Sequence, residues 1–167
     1  NKVFSSIDYQ GRYSYKNQPN VMLWNLTRFA ETLLPLLDKN IDKSIKKAEE
    51  MLGEFDTLYE SSWISNMCLK LGIENHKKTD KILIEDFLNL LHNQQLDFNN
   101  SFYSLYFFLE NDDNKTETSS KNFQILSKIK SSDWYHKWRD RLSFENKNKK
   151  DSIKIILKNN PSIIPRN

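Results

Sequence analysis

The fold of this chain is decided by GRYSYKNQPNVMLWNLTRFAETLLPLL, residues 11–37. Its first part is irregular, because Gly11 permits a left-handed turn and Pro19 closes the segment before a helix. From Asn20 onward the apolar residues keep to one helical stripe: Leu23, Leu26, Ala30, Leu33, Leu34 and Leu37. Because Pro35 falls inside this stripe, the first helix is predicted to kink or end near Leu34. The stretch therefore predicts an ordered loop that leads into a helix.

Helical spacing continues along the rest of the chain. One long helix is predicted from Ile41 to Leu71, where Gly72 supplies a left-handed cap. A polar loop is predicted near residues 110–121, and a last helix covers residues 152–157. The predicted N-cap residues of later helices are Thr79, Asp97 and Asp133. No segment alternates as a strand does, so we predict an all-α fold.

The domain organisation follows from length and pattern. A chain of 167 residues fits one domain, and we predict a single helical region over residues 1–167. It comprises a signature loop (residues 1–20), helices over residues 21–159 and an Asn-Pro end over residues 160–167. The mean hydropathy of -0.73 is polar, but the 13% aromatic content predicts a packed core.

Charge and apolar run lengths narrow the possible partners. The formal net charge of +3 is too small to imply nucleic acid, and the basic run Lys147 to Lys154 lacks aromatic readers. The longest aromatic and apolar run, Phe102 to Leu109, is far shorter than the roughly 20 residues that cross a bilayer. We therefore expect neither nucleic acid nor a membrane as a partner. The N-terminus has no signal peptide pattern, so the chain is expected to be intracellular.

Candidate chemical sites are few. The three histidines, His76, His92 and His136, have no His partner at helical spacing, and the acidic run Asp112 to Thr116 lacks the glycine of a calcium loop. No metal site is therefore predicted. Cys68 lies in an apolar run and is expected to be a core residue. The rings of Trp134 and Trp138 share one helix face, which favours core packing over a stacking platform.

The segment Gly11 to Pro19 has an unusual composition. Arg12 offers a planar bidentate donor, Tyr13 and Tyr15 flank Ser14, and Asn17 and Gln18 can satisfy stray backbone groups. This describes an ordered loop held by polar contacts. Two interpretations remain open: a well-anchored connector, or a loop that borders an active site, where ordered irregular segments concentrate.

The same segment resembles the signature of the selenoprotein O family of protein adenylyltransferases. The matching residues are Gly11, Arg12, Tyr13, Ser14, Tyr15, Gln18 and Pro19, followed by Trp24, Asn25 and Leu26. Further similar blocks are residues 28–37, Lys70-Leu71-Gly72 and Asn160-Pro161 with Arg166-Asn167. The blocks occur in order and cover nearly the whole chain.

The resemblance implies the helical C-terminal lobe of a kinase-like fold that transfers AMP from ATP to Ser, Thr or Tyr hydroxyls of proteins. In the family, the nucleotide-binding and magnesium-binding residues precede the signature. A C-terminal tail follows the last of the blocks matched here. The chain is thus expected to be a fragment that is inactive alone, with no catalytic or metal residue and no bound ATP or magnesium of its own. Asp8 aligns with the approach to the signature and not with a catalytic loop.

The expected near-site residues are Gly11, Arg12, Tyr13, Asn17, Gln18 and Pro19. The expected partners are the upstream half of the same chain and protein substrates, in the bacterial cytoplasm or, for a eukaryotic protein, the mitochondrion. Two other hypotheses remain: a non-catalytic helical interaction module, and a true protein kinase that transfers the γ-phosphate of ATP.

Overall fold

The computed structural model describes residue 3 and residues 6–110, 120–145 and 148–161. A 3-10 helix, Tyr15–Asn17, leads into nine α-helices in these described ranges. They are α1 (Gln18–Leu37), α2 (Ile41–Gly53), α3 (Phe55–Lys70), α4 (Asp80–Asn93), α5 (Phe98–Ser104), α6 (Phe107–Glu110), α7 (Ser120–Lys130), α8 (Asp133–Ser143) and α9 (Lys149–Asn159). These ranges contain no β-strand, which confirms the all-α prediction.

The chain divides into two compact units, Asn1–Ser61 and Ser62–Asn167, and α3 runs across the boundary. In the first unit, α1 packs on α2. The connection between them is held by polar contacts, since Lys47 Nζ donates to the Leu37 carbonyl at 3.3 Å and to Asp38 Oδ2 at 2.9 Å. Asn40 caps α2 by accepting from the Asp42 and Lys43 amides.

The structure refines one predicted boundary in this unit and overturns another. The first helix ends at Leu37, close to the predicted position near Leu34, because Pro35 lies in the last turn, where its missing N–H costs a single hydrogen bond. The predicted long helix is two helices, α2 and α3, separated at Gly53 and Glu54. Glycine is a poor helix former, and nothing lies within 4 Å of a Cβ at Gly53, so packing does not hold the helix together there.

The second unit has an aromatic core whose buried rings come from α4, α5 and α8. The ring of Phe87 stacks on Trp134 at 4.1 Å and meets the edge of Phe102 at 4.8 Å. Trp134 in turn stacks on Trp138, with ring planes 11° apart, and both indoles are buried. Their N–H groups donate to the Leu83 and Leu71 carbonyls, so no polar atom of either indole is stranded. The prediction that the two tryptophans pack in the core is confirmed.

The predicted end of α3 is also confirmed. Gly72 has a φ of 81°, and the Ile73 amide donates to the Cys68 carbonyl at 2.9 Å, as in a left-handed helix cap. Cys68 itself is completely buried, as predicted, and desolvation raises the pKa of its thiol to about 12. The thiol is therefore protonated at neutral pH and serves as a small core residue.

The cap predictions had mixed outcomes. Asp97 caps α5 by accepting from the Asn100 amide at 2.8 Å, which confirms the prediction. Thr79 precedes α4 but makes no side-chain cap bond, and Asp80 instead accepts from the Lys77 amide at 2.7 Å. Asp133 is the first residue of α8, with Ser132 at the cap position. The predicted loop at residues 110–121 and the end at 160–167 lie largely outside the described residues.

Candidate functional site in the signature loop

Asp8 organises the signature loop. Its two carboxylate oxygens accept from the backbone amides of Arg12 and Tyr13, each at 2.8 Å. The Gly11 amide donates back to the Asp8 carbonyl at 3.2 Å, and Gly11 has a φ of 68°. A left-handed residue is needed to turn the chain so that two successive amides point at one carboxylate. The loop is thus a tight turn wrapped around an acidic side chain.

Asn17 and Gln18 hold the other side of the turn. Asn17 Nδ2 donates to the Arg12 carbonyl at 2.6 Å, and Gln18 Nε2 donates to the Tyr13 carbonyl at 2.7 Å. Ser14 is buried beneath them, and its amide donates to the Gly11 carbonyl. The backbone polar groups of residues 11–14 are therefore satisfied partly by the side chains of Asp8, Asn17 and Gln18 and partly by backbone groups of the same turn.

Pro19 lies in the first turn of α1, where its missing N–H costs nothing. The motif therefore fixes the loop and starts the helix together.

The guanidinium of Arg12 lies over aromatic rings of the same unit. Its Cζ is 4.6 Å from the centre of the Trp24 ring and 5.7 Å from that of Tyr13. Arg28 approaches the same indole at 5.8 Å and pairs with Glu31 at 2.6 Å. Stacking fixes the direction of the guanidinium plane while leaving its edge able to donate hydrogen bonds.

An open depression of about 430 Å³ lies against this loop. It is lined by Ile7, Asp8, Tyr9, Gln10, Arg12 and Tyr13. Tyr9 is 91% exposed and Tyr13 is 55% exposed, so both side chains are open to solvent. The depression offers a fixed cation and aromatic surfaces, which suits contact with a peptide or an anionic group.

The structure brings together five of the six predicted near-site residues in one hydrogen-bonded turn, with Pro19 at its end. Two contributors, Asp8 and Trp24, were not assigned to this site from the sequence. The sequence places Asp8 only at the approach to the signature, although an Asp three residues before a Gly is a common loop-forming residue. The stack of Trp24 on Arg12 joins residues twelve positions apart, which local spacing does not reveal.

A second polar cluster lies in the other unit, between α4 and α8. Arg141 donates to Asp80 at 2.7 and 3.0 Å and to Glu145 at 2.8 Å. Glu145 also accepts from the amides of Glu74 and Asn75. The bonds to Asp80 above all, and those to Glu145, raise the pKa of Arg141. Both carboxylates are buried, and their oxygens accept from Arg141 and from backbone amides, so the cluster anchors the loop after Gly72 and offers no open position.

Two of the family blocks meet in the second unit. Lys70 Nζ donates to the Asn159 carbonyl at 2.9 Å, and Asn160 Nδ2 donates to the Lys70 carbonyl at 2.9 Å. Asn160 is buried and also donates to the Ile156 carbonyl, so one amide caps both α3 and α9. Desolvation lowers the pKa of Lys70. The Lys70 and Asn160 blocks therefore hold the C-terminal ends of α3 and α9 together.

Among the described residues, no three His, Cys, Asp or Glu side chains converge as metal ligands. Within the same ranges, no helix has the length and apolarity that a bilayer-spanning segment requires.

Comparison with known proteins supplies the family. The family model described as "Protein adenylyltransferase SelO" matches residues 3–167. A protein of Clostridium perfringens strain SM101 named "Protein nucleotidyltransferase YdiU" is 43% identical over the whole chain. A protein of the same name from Clostridium botulinum strain Hall is 44% identical over 165 residues, 99% of the chain. Each match covers 32% of the relative, so the chain spans about a third of their length. The chain belongs to the SelO family of protein adenylyltransferases.

Proposed function

We propose that this chain is the C-terminal helical part of an enzyme that transfers AMP from ATP to Ser, Thr or Tyr hydroxyls of proteins. The observation that carries the proposal is the family match over residues 3–167, together with relatives named as protein nucleotidyltransferases. In this reaction the substrate hydroxyl forms a bond to the α-phosphorus, and the bond to the β-phosphate breaks. The hydroxyl proton passes to a base, and pyrophosphate leaves.

The described residues do not fit a site for ATP or magnesium. They contain no cluster of three or more ligand side chains, and both oxygens of Asp8 are directed at backbone amides. Neither of the two left-handed glycines belongs to a glycine-rich phosphate loop. We therefore assign ATP binding, magnesium and the catalytic groups to the part of the full-length protein outside these 167 residues, and the chain alone should be inactive.

The role that we propose for the signature loop is to border the active site of the full-length protein. A turn held by Asp8, Asn17 and Gln18 presents Arg12 in a fixed direction, which suits a wall of a substrate site. The kinase-like character of the helical lobe is part of the same proposal.

The decisive experiment is label transfer with ATP carrying the label on the α-phosphate or on the γ-phosphate. We expect the full-length protein to transfer the α-label to protein hydroxyls, and the 167-residue chain to transfer neither. Transfer of the γ-label alone would make the protein a kinase. If the full-length protein binds ATP but transfers neither label, the non-catalytic interaction module is the better interpretation.

The loop is tested with Asn17→Ala in the full-length protein. Loss of the 2.6 Å bond to the Arg12 carbonyl frees the turn, and we expect kcat/KM for α-label transfer to fall about 10-fold. Lys46→Ala is the matched control, since Lys46 is exposed on α2 and its ion pair with Glu50 is long, at 4.0 Å. Equal activity of the two variants at equal thermal stability would show that the loop is only a connector.

A further inference from the structure

Helix α1 carries two apolar stripes, and α2 covers only one of them. The inner stripe includes Ala30 and Leu34, which share a groove of about 290 Å³ with Ile45, Ala48 and Leu52 of α2. The outer stripe consists of Met22, Leu26, Phe29, Leu33 and Leu36. At 100° per residue, it lies roughly 100° around the helix axis from the inner one.

The outer stripe is open to solvent. Met22 is 52% exposed, Phe29 is 60% exposed and Leu36 is 80% exposed, while Leu26 is at the edge of exposure and Leu33 is half-buried. A helix that is apolar on more than one face is typical of a protein interior. Adjacent apolar side chains left exposed in a row indicate a missing partner.

The spacing of the outer stripe identifies the shape of that partner. Its five residues are separated by steps of four, three, four and three, which is the heptad pattern of a helix that packs along another helix. A flat or extended partner would not select this register. We propose that the outer stripe of α1 binds an apolar helix from the part of the full-length protein that lies outside these 167 residues.

The borders of the stripe favour a permanent partner. The positions that flank it are uncharged, with Asn25 and Thr32 on one side and Leu23, Ala30 and Leu37 on the other. The charges of α1 are elsewhere, at Arg28 and Glu31, and they pair with each other. Flanking charges set partner choice and orientation in coiled coils, and their absence suits a segment held close by the same chain.

The length of the stripe argues against a second copy of the chain. From Met22 to Leu36 it rises roughly 21 Å, which is two heptads. A heptad pattern indicates a coiled coil only when it is sustained over about three to four heptads. An intramolecular helix has no such requirement, because its effective concentration is high. The chain spans only 32% of its relatives, so the remaining length is ample for such a helix.

The test uses the full-length protein with the photo-reactive residue p-benzoylphenylalanine at position 29 (Phe29→Bpa). After illumination, we expect a cross-link within one molecule to a peptide outside the 167 residues, identified by mass spectrometry. The control is Glu31→Bpa, because Glu31 lies on the same helix roughly 160° away from Phe29 and is exposed. Its yield of such cross-links should be at least about 10-fold lower.

Three outcomes would overturn the proposal: cross-linked dimers, cross-links confined to the 167 residues, or equal yields from positions 29 and 31. Leu36→Bpa gives a second probe on the same stripe in case position 29 disturbs folding. The experiment does not depend on AMP transfer, so an inactive but folded protein tests it equally well.

Discussion

The two compact units of the chain treat their large apolar side chains in opposite ways. In Ser62–Asn167, aromatic and aliphatic residues from several helices close one core around Phe87, Trp134 and Trp138. In Asn1–Ser61, the buried apolar residues among those described are only Val21 and Ala48, whereas Phe29, Leu36 and Met51 are mostly exposed. The second unit is thus stabilised by contacts within this sequence. In the first unit, the described residues leave large apolar side chains exposed to solvent.

The largest expected difference in stability comes from replacing one phenylalanine by alanine in each unit. Phe87→Ala removes a fully buried ring that contacts Phe102 and Trp134, and we expect a loss of about 3–5 kcal/mol in the free energy of unfolding. Phe29→Ala removes a 60% exposed ring, and the expected loss is below about 1 kcal/mol. Urea unfolding of the 167-residue chain, followed by tryptophan fluorescence and circular dichroism, measures both.

Equal losses for the two phenylalanine variants would break the comparison between the units. The same Phe29→Ala substitution in the full-length protein gives a further test. A helix over the outer stripe should make it clearly more destabilising there than in the 167-residue chain.

The second prediction concerns ion pairs. Arg141→Met leaves Asp80 and Glu145 buried without their cation, and we expect a loss of about 3 kcal/mol in the free energy of unfolding. Lys47→Met breaks the pair with Asp38 in the first unit, where half of the lysine side chain is exposed, so the loss should be below about 1 kcal/mol. Thermal unfolding of both variants tests the difference, and a tolerated Arg141→Met would show that the cluster is not a stabilising anchor.

The third prediction compares two glycines. Gly72→Ala places a Cβ at a φ of 81°, 3.0 Å from Ile156 carbons and 3.3 Å from the Ser152 carbonyl, and should cost about 2 kcal/mol. Gly53→Ala adds a Cβ to α2 with nothing within 4 Å, and should stabilise by about 0.5 kcal/mol. Melting temperatures therefore move in opposite directions, and a shared direction would contradict the assigned conformations.

The sequence predicted best where local rules and burial agree. Gly72 and Asp97 act through contacts within a few residues, and Trp134 and Trp138 share one helix face, so each was predicted correctly. Thr79 failed because Asp80 is held by Arg141, a partner 61 residues away that propensity rules do not include. The stack of Arg12 on Trp24 was also missed. It depends on the path of the turn, which local propensity rules do not include.

The smallest expected effect is a pH dependence in the first unit. The hydrogen bond from Lys47 above all, and that from the Asn40 amide, lower the pKa of Asp38 below its usual 3.8. A depressed pKa in the folded state contributes stability that is present at neutral pH and lost as the pH falls below about 4. Asp38→Asn should therefore be slightly less stable than the parent at pH 7 and should converge on it as the pH falls from about 4 toward 2. Because Asp38 is at the surface, 0.5 M salt should weaken its ion pair with Lys47 and reduce the difference at pH 7. A difference between the parent and Asp38→Asn that persists at pH 2 would locate the effect in the shape of the connection between α1 and α2 and not in its charge.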